Sequence, residues 1–257
     1  MNTPILSANA IGMRFEAASG PVEAIGNVSF DLREGEILAL VGPSGCGKTT
    51  LFNIITGLLA PSRGEIVIAS DRAGQDVGYM LQKDLLLPWR SVIDNVILGL
   101  EVRGMTRDKA RAIARDLIEA YGLKGFEDAR PSTLSGGMRQ RVAIMRTLAF
   151  DPAVVLLDEP FSALDFQTRT LLQQDVARII AERRKSAILI THDIGEAITM
   201  ADRILVLSTR PSTVIRTMDI EIPRDARDPI SLRSDQRYND YFVSIWEDLQ
   251  LPNARVA

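Results

Sequence analysis

The stretch Leu40–Thr50, LVGPSGCGKTT, constrains the fold more than any other part of the chain. A short apolar run, EILALV (Glu36–Val41), precedes it, and Leu51, Ile54, Ile55 and Leu58 follow at helical spacing. The pattern predicts a buried strand, a glycine-rich turn and a helix in succession. Gly42, Gly47, Lys48 and Thr49 satisfy G-x-x-x-x-G-K-S/T. Glycines let backbone amides approach phosphate oxygens with no Cβ between them, and the helix N-terminus adds its positive end. On this reading Pro43, Ser44, Gly45, Cys46 and Thr50 complete the loop around the phosphates. Lys48 reaches the β- and γ-phosphates, and the Thr49 hydroxyl ligates Mg2+. A tight glycine turn with an exposed lysine is the alternative, and the flanking strand and helix argue against it. A nucleotide site is expected.

Composition narrows what surrounds that site. The 257 residues are 46% hydrophobic, enough for one large α/β domain or a domain with a smaller lobe. Formal net charge is −3 with no long basic block, so a nucleic-acid partner is not expected. One cysteine excludes an internal disulfide and suits a reducing compartment. The start, MNTPILSANAIG, does not read as a signal peptide, and no apolar run approaches the roughly 18 residues of a membrane span. A soluble, cytoplasmic chain is expected. Cys46 itself sits at a helix N-terminus, where a reactive thiolate is favoured; a small side chain that merely fits is the other reading.

Two further segments carry chemistry. AVVLLDEP (Ala153–Pro160) is a continuous apolar strand ending in two carboxylates. Such a strand delivers Asp158 at its carboxyl end, where doubly wound sheets place their ligands. Asp158 suits Mg2+, and Glu159 is placed to deprotonate an attacking water. Solvated acids at a strand end are the plainer alternative. In LSGGMRQR (Leu134–Arg141), Ser135, Gly136 and Gly137 open a helical pattern carrying Val142, Met145, Leu148 and Ala149. That is a second bare helix N-terminus and a second anion site, best explained if it serves a nucleotide held by another copy of the chain. A simple Ser135 N-cap is the other reading.

Taken together with Gln82, SALD (Ser162–Asp165) and ITHD (Ile190–Asp193), in this order, these segments resemble the ATP-binding subunit of ABC transporters. The resemblance runs from about residue 5 to about residue 223. It implies that Phe15 stacks on adenine, and that Gln82 senses Mg2+ and the water and touches a membrane partner. It implies that Ser135, Gly136 and Gly137 meet the γ-phosphate of the opposite subunit and that Asp165 crosses the dimer interface. His192, the only histidine, matches the switch residue that contacts the γ-phosphate. Met138 departs from the commonest signature, which has Gln; importer subunits with Met there make loss of activity unexpected. The implied fold is an α/β P-loop NTPase cassette with a mostly parallel sheet, an early antiparallel β region and an inserted helical lobe.

Along the chain, strands are expected to about Val41, then the loop helix, then a strand pair near GEIVIA and VGYML. A helical lobe at about 84–150 follows. Within it TRDKARAIARDLIEAYGL has Thr106 as N-cap, Ala110, Ile113, Ala114, Leu117 and Ile118 as its apolar face, and Gly122 as its stop. Strands AVVLLD, SAILITH and RILVLS then alternate with helices over about 166–184 and 194–200, implying a parallel sheet. Residues 1–223 form the expected cassette and 224–257 an extension. In the extension Tyr238, Tyr241, Phe242, Ile245 and Leu249 mark an amphipathic helix, either packed on the cassette or meeting a partner.

DLLLPWRSVIDNV (Asp84–Val96) follows Gln82 and reads either as core or, through the resemblance, as the groove for a permease's coupling helix. The LLPW wording, Arg210–Pro211 and Ile222–Arg224 resemble the nitrate, sulfonate, taurine and pyrimidine-precursor uptake group. The implied partners are a second copy of the chain, permease subunits at the cytoplasmic face of the inner membrane and, indirectly, a solute-binding protein. An ATPase for envelope lipid or lipoprotein handling, or one acting on ribosomes or DNA, remains open at this level.

Overall fold

The computed structural model describes residues 4–18, 20–69 and 77–250. The chain divides into two compact units, Met1–Asp71 with Ile180–Ala257, and Arg72–Ile179. In chain order the elements begin with strands β1 (Leu6–Phe15), β2 (Val22–Leu32) and β3 (Ile37–Val41) and helix α1 (Lys48–Ile55). Strands β4 (Arg63–Ile68) and β5 (Val77–Met80) lead to helices α2 (Val92–Val96), α3 (Leu98–Val102), α4 (Arg107–Ala120) and α5 (Gly136–Leu148). Then come β6 (Val154–Asp158), α6 (Phe166–Glu182), β7 (Ser186–Thr191), α7 (Ile194–Met200), β8 (Arg203–Leu207), β9 (Ser212–Asp219) and α8 (Gln236–Gln250).

The first unit holds a mixed sheet. Strand β3 pairs in parallel with β7 and β8. Strand β8 pairs antiparallel with β9, β9 parallel with β2, and β1 antiparallel with both β2 and β4. Every residue of β3, β7 and β8 is buried, as expected for strands covered on both faces. Each fully buried Leu or Ile in these strands contributes about 1.5–3 kcal/mol, which is why they read as unbroken apolar runs. In the second unit β5 pairs in parallel with β6, and α2, α4 and α5 pack together. The expected strands GEIVIA and VGYML both form but do not pair with each other: one joins β1, the other β6.

Helix α4 follows its sequence pattern closely. Ala110, Ala114, Leu117 and Ile118 are fully buried, and Gly122 ends the helix at φ +69°. Thr106 is its N-cap residue, although its hydroxyl makes no capping bond. Helix α1 departs from expectation at one residue. It stops at Ile55, Gly57 turns the chain at φ +74°, and Leu58 emerges 74% exposed rather than on the helix's apolar face. Strand β9 escaped the sequence reading because only Ser212 in it is buried, so no apolar alternation marks it.

The segment after Pro223 is anchored by arginines. Arg224 pairs with Asp202 and donates to the Gly35 carbonyl 2.7 Å away. The buried Arg227 donates to the carbonyls of Ile222 at 2.7 Å, Ile220 at 3.2 Å and Ala201. Asp202 also accepts from the Ile37 amide at 2.8 Å, which ties this network to the edge of β3. Helix α8 follows, held by a two-pronged ion pair from Arg216 on β9 to the buried Asp248. Residues 251–257 of the expected extension lie outside the described residues. Arg227→Met strands three buried carbonyls, and we expect it to lower unfolding free energy by about 2–4 kcal/mol. Urea denaturation measures this; a loss under about 0.5 kcal/mol would contradict the role given to the guanidinium.

Candidate functional site

The residues of the first unit expected at the nucleotide lie around the carboxyl end of β3. The turn Gly42–Gly47 joins β3 to α1, and Gly45 and Gly47 take φ values of +76° and +108° that favour glycine. A Cβ at Gly45 would stand in open space, whereas one at Gly47 would lie 3.2 Å from the Ala24 carbonyl and 3.3 Å from Ile25. The turn is therefore pressed against β2 on one side and bare on the other. Lys48 is only 6% exposed, and its ammonium folds back to donate to the carbonyls of Gly42 at 2.8 Å and Pro43 at 3.0 Å. This holds one positive charge within a turn whose amides and helix end also favour an anion. Thr49 is exposed and Thr50 half-buried beside it, while Ser44 and Gly45 form the exposed rim. A triphosphate fits this cradle by the chemistry of its donors.

His192 comes to the same edge by strand register. Val41 pairs with Thr191, so the residues after each strand, Gly42 and His192, leave the sheet side by side. The imidazole is exposed. Phe15 ends β1 opposite Val22, two residues from the Ala24 carbonyl that backs Gly47, and is 38% exposed. Cys46 lies inside: it is 1% exposed, its sulfur 3.8 Å from the Lys48 ammonium. A Cβ at Gly42 would come within 3.0 Å of that sulfur. The small residue that fits is thus the reading the packing favours over the reactive thiolate. Alkylation of the native chain by a maleimide is expected to run at least about tenfold slower than in urea, since the thiol must be uncovered first. Equal rates would mean that the loop opens freely.

The second unit carries the carboxylates. Met80 pairs with Leu157, so Gln82 and the pair Asp158–Glu159 leave adjacent parallel strands at the same end. The Gln82 amide donates to the Glu159 carboxylate at 3.0 Å. Glu159 holds φ +45°, a left-handed conformation costly for a glutamate, directly after a fully buried strand. Strain at such a position is characteristic of functional turns. The buried Asp158 accepts from the Tyr79 hydroxyl at 3.2 Å. Burial, and then the neighbouring Asp158, push the Tyr79 phenol well above its ordinary range, so it stays a proton donor to that carboxylate.

Helix α5 begins at the expected N-cap, with the Ser135 hydroxyl accepting from the Met138 amide at 3.3 Å. Gly136 is exposed, and a Cβ on Gly137 would fall 2.5 Å from the Thr168 methyl. Gly137 thus has a packing reason as well as the anion-binding one. Val142, Met145, Leu148 and Ala149 are buried as their spacing predicts. Two partners went unnoticed in the sequence. Gln140 donates to the Pro160 carbonyl, just past Glu159, and Arg139 pairs with Asp84 at 3.1 Å, just past Gln82. Neither has a local signal, because the contact depends on how α5 lies across the two turns. Asp165 is exposed and accepts from the Thr168 amide at 3.0 Å in the first turn of α6. That backbone bond holds its carboxyl below the usual range, so its capping contribution persists above the ordinary Asp range and is lost only as pH falls below it.

Each unit carries oxygens expected to hold Mg2+: the Thr49 hydroxyl in the first, and the Gln82 amide oxygen and the Asp158 carboxylate in the second. These hard oxygens suit Mg2+, which takes few protein ligands and completes its shell with water and phosphate. Among the described residues no cluster of three His, Cys, Asp or Glu side chains forms an all-protein metal cage.

Known proteins are similar to this chain in sequence and fold. The ABC transporter family model matches residues 25–162. An uncharacterized ABC transporter ATP-binding protein of Bacillus subtilis (strain 168) is 44% identical over 229 residues, 88% of each chain. The taurine import ATP-binding protein of Roseobacter denitrificans is 44% identical over 214 residues, covering 81% of this chain and 80% of that one. Among solved structures, the dimeric structure of MJ0796, described as a bacterial ABC transporter cassette, superposes with a TM-score of 0.74 at 30% identity. It covers 84% of this chain and 99% of that one. A second structure of that cassette, in a post-hydrolysis state with ADP and Pi, has a TM-score of 0.73. With the nucleotide turn at the end of β3, the paired carboxylates at the end of β6 and these relatives at 44% identity, the chain belongs to the ATP-binding subunits of ABC transporters and is an ATPase of the P-loop α/β class.

Proposed function

We propose that this ATPase energises an importer of a small anionic or related solute such as a sulfonate, taurine or nitrate. The hydrogen bond between Gln82 and Glu159 carries the reading. It joins a water-activating carboxylate to a residue whose neighbours reach outward: Leu81, Leu85 and Trp89 are 40%, 54% and 68% exposed. Within the LLPW segment Leu86 packs inward at 8% exposed, so the core reading holds there, while the exposed apolar face of Leu81, Leu85 and Trp89 beside the proposed catalytic turn suits a permease helix. Relatives named as taurine import proteins, 36–45% identical, support the solute class.

In this reading two copies close head-to-tail. Each ATP lies between one chain's Gly42–Thr50 loop, with Phe15 against the adenine, and the other chain's Ser135–Gly137. The dimeric cassette structures support the assembly. Mg2+ supplies charge neutralisation at the β- and γ-phosphates. Lys48 binds those phosphates, Thr49, Asp158 and Gln82 hold the metal's shell, and His192 contacts the γ-phosphate. Asp165 meets the partner across the interface. Glu159 accepts the proton of the attacking water. Residues 1–223 act as the cassette, with a helical lobe at about 84–150, and 224–257 as its extension. No helix among the described residues is long and apolar enough to cross a membrane, consistent with a peripheral subunit held at the cytoplasmic face by its permease.

The test is a tagged pull-down from detergent-solubilised membranes with stoichiometric partners identified by mass spectrometry. A polytopic permease is expected. Recovery with ribosomes, DNA or a lipid-handling complex instead would overturn the importer reading and leave the ATPase intact.

A further inference from the structure

Helix α7 starts two residues after His192, and the C-terminal segment grips it at both ends. At its N-terminal end the ring of Tyr238 on α8 is 8% exposed and lies over the first turn. A Cβ on Gly195 would fall 2.7 Å from the Tyr238 hydroxyl and 3.2 Å from the Asp193 carboxylate. That carboxylate caps α7 by accepting from the Glu196 amide at 3.1 Å, and the Asp193 amide donates to the Thr191 hydroxyl at 3.0 Å. His192 is the residue between those two anchors. At the other end Arg227 donates to the buried carbonyl of Ala201, the C-cap of α7, where a cation suits the last helix carbonyls.

Tyr238 cannot slide away from this contact. Helix α8 is fixed in register by Arg216, which binds Asp248 at 2.7 and 2.9 Å and Ser244 at 2.8 Å. The Tyr241 hydroxyl accepts from the Glu221 amide at 3.0 Å, and Phe242 stacks on the Tyr238 ring at a centroid distance of 6.2 Å. Gly195 fits the contact for a steric reason alone, because its φ lies outside the left-handed region.

We infer that the C-terminal segment is a clamp on α7, with Tyr238 and Arg227 as positioning residues that set where His192 stands at the nucleotide edge. The inference rests on the assignment of His192 to the γ-phosphate. It makes the segment beyond the cassette part of the hydrolytic machinery, so that anything moving α8 changes turnover before it changes nucleotide binding.

The full chain contains one histidine, so its imidazole resonances are assignable by composition alone. They can be followed by 1H–13C NMR with and without ATP·Mg2+, alongside phosphate release, ATP-analogue affinity and thermal midpoint. Gly195→Ala places a methyl against the Tyr238 hydroxyl. It is expected to shift the imidazole signals and slow phosphate release several-fold, with analogue affinity within about twofold. Tyr238→Phe removes the oxygen but keeps the ring, and Gly195→Ala/Tyr238→Phe is expected to restore both signals and rate. Imidazole signals unmoved by Gly195→Ala would overturn the inference. Failure of the double variant to restore them would do the same, because the alanine would then act without Tyr238. His192→Ala separates the two levels. Full hydrolysis in that variant overturns the histidine's assignment and the clamp's purpose with it. A dead His192→Ala beside an unaffected Gly195→Ala overturns the clamp alone.

Discussion

Glu159→Gln is expected to lower phosphate release by about 10^2- to 10^4-fold, the usual contribution of a positioned general base. The substitution changes little else. An amide oxygen still accepts from Gln82, as the carboxylate does at 3.0 Å, and the strained turn after β6 keeps its shape. Asp158 remains buried and bound by Tyr79, so the carboxylate proposed for the metal is untouched. ATP·Mg2+ should therefore still bind, and two chains should stay closed around it because the step that reopens them is blocked. Size-exclusion chromatography with ATP should show a dimer in the variant, and nucleotide analysis should recover ATP rather than ADP. Release at the native rate would remove Glu159 from the role of base. Loss of binding together with turnover would instead indicate that the carboxylate holds the turn.

Much of this site was legible because its residues are dictated by local chemistry. A turn that must bring backbone amides to phosphate needs glycines at fixed offsets, so Gly42, Gly45 and Gly47 announced it before any tertiary contact was known. The buried strands β3, β6 and β7 were visible for the same reason: residues covered on both faces have no polar alternation to blur them. Helix α7 emerged with its expected bounds because Asp193 caps it locally. What escaped depends on partners distant in sequence. Strand β9 shows only Ser212 to the core, and its place follows from pairing with β8 and β2. The bond from Tyr79 to Asp158 depends on β6 lying beside β5, and no spacing along the chain signals it. Gln140 and Arg139 find their partners in the turns after β6 and β5, which the helical pattern of α5 does not reveal. Arg227 has no signal in the sequence, yet it is buried and satisfies three carbonyls. Apart from the bonds of Arg227 to Ile222 and Ile220, these are contacts between residues far apart in sequence, which spacing cannot encode.

Lys48→Ala is expected to weaken ATP binding by at least about 100-fold, without a matching loss of fold. The ammonium is nearly buried, and in this structure its protons rest on the carbonyls of Gly42 and Pro43. Those carbonyls hold the side chain beneath the loop, so little entropy remains to be lost when a phosphate arrives. Two charge-assisted bonds to phosphate at about 1.5–3 kcal/mol each supply about 3–6 kcal/mol, of which about 2.7 kcal/mol already corresponds to a 100-fold change. Against this, the free chain loses two bonds to carbonyls of the turn, one of them buried, but is also relieved of the cost of keeping the ammonium out of water, so its thermal midpoint should fall less than its affinity. Fluorescent-analogue titration measures the first and calorimetry the second. Unchanged affinity would take Lys48 out of the phosphate site, since no other basic side chain lies in the Gly42–Thr50 turn. A collapse of stability equal to the loss of binding would mean that the lysine's bonds to the turn, rather than to the nucleotide, are what the loop requires.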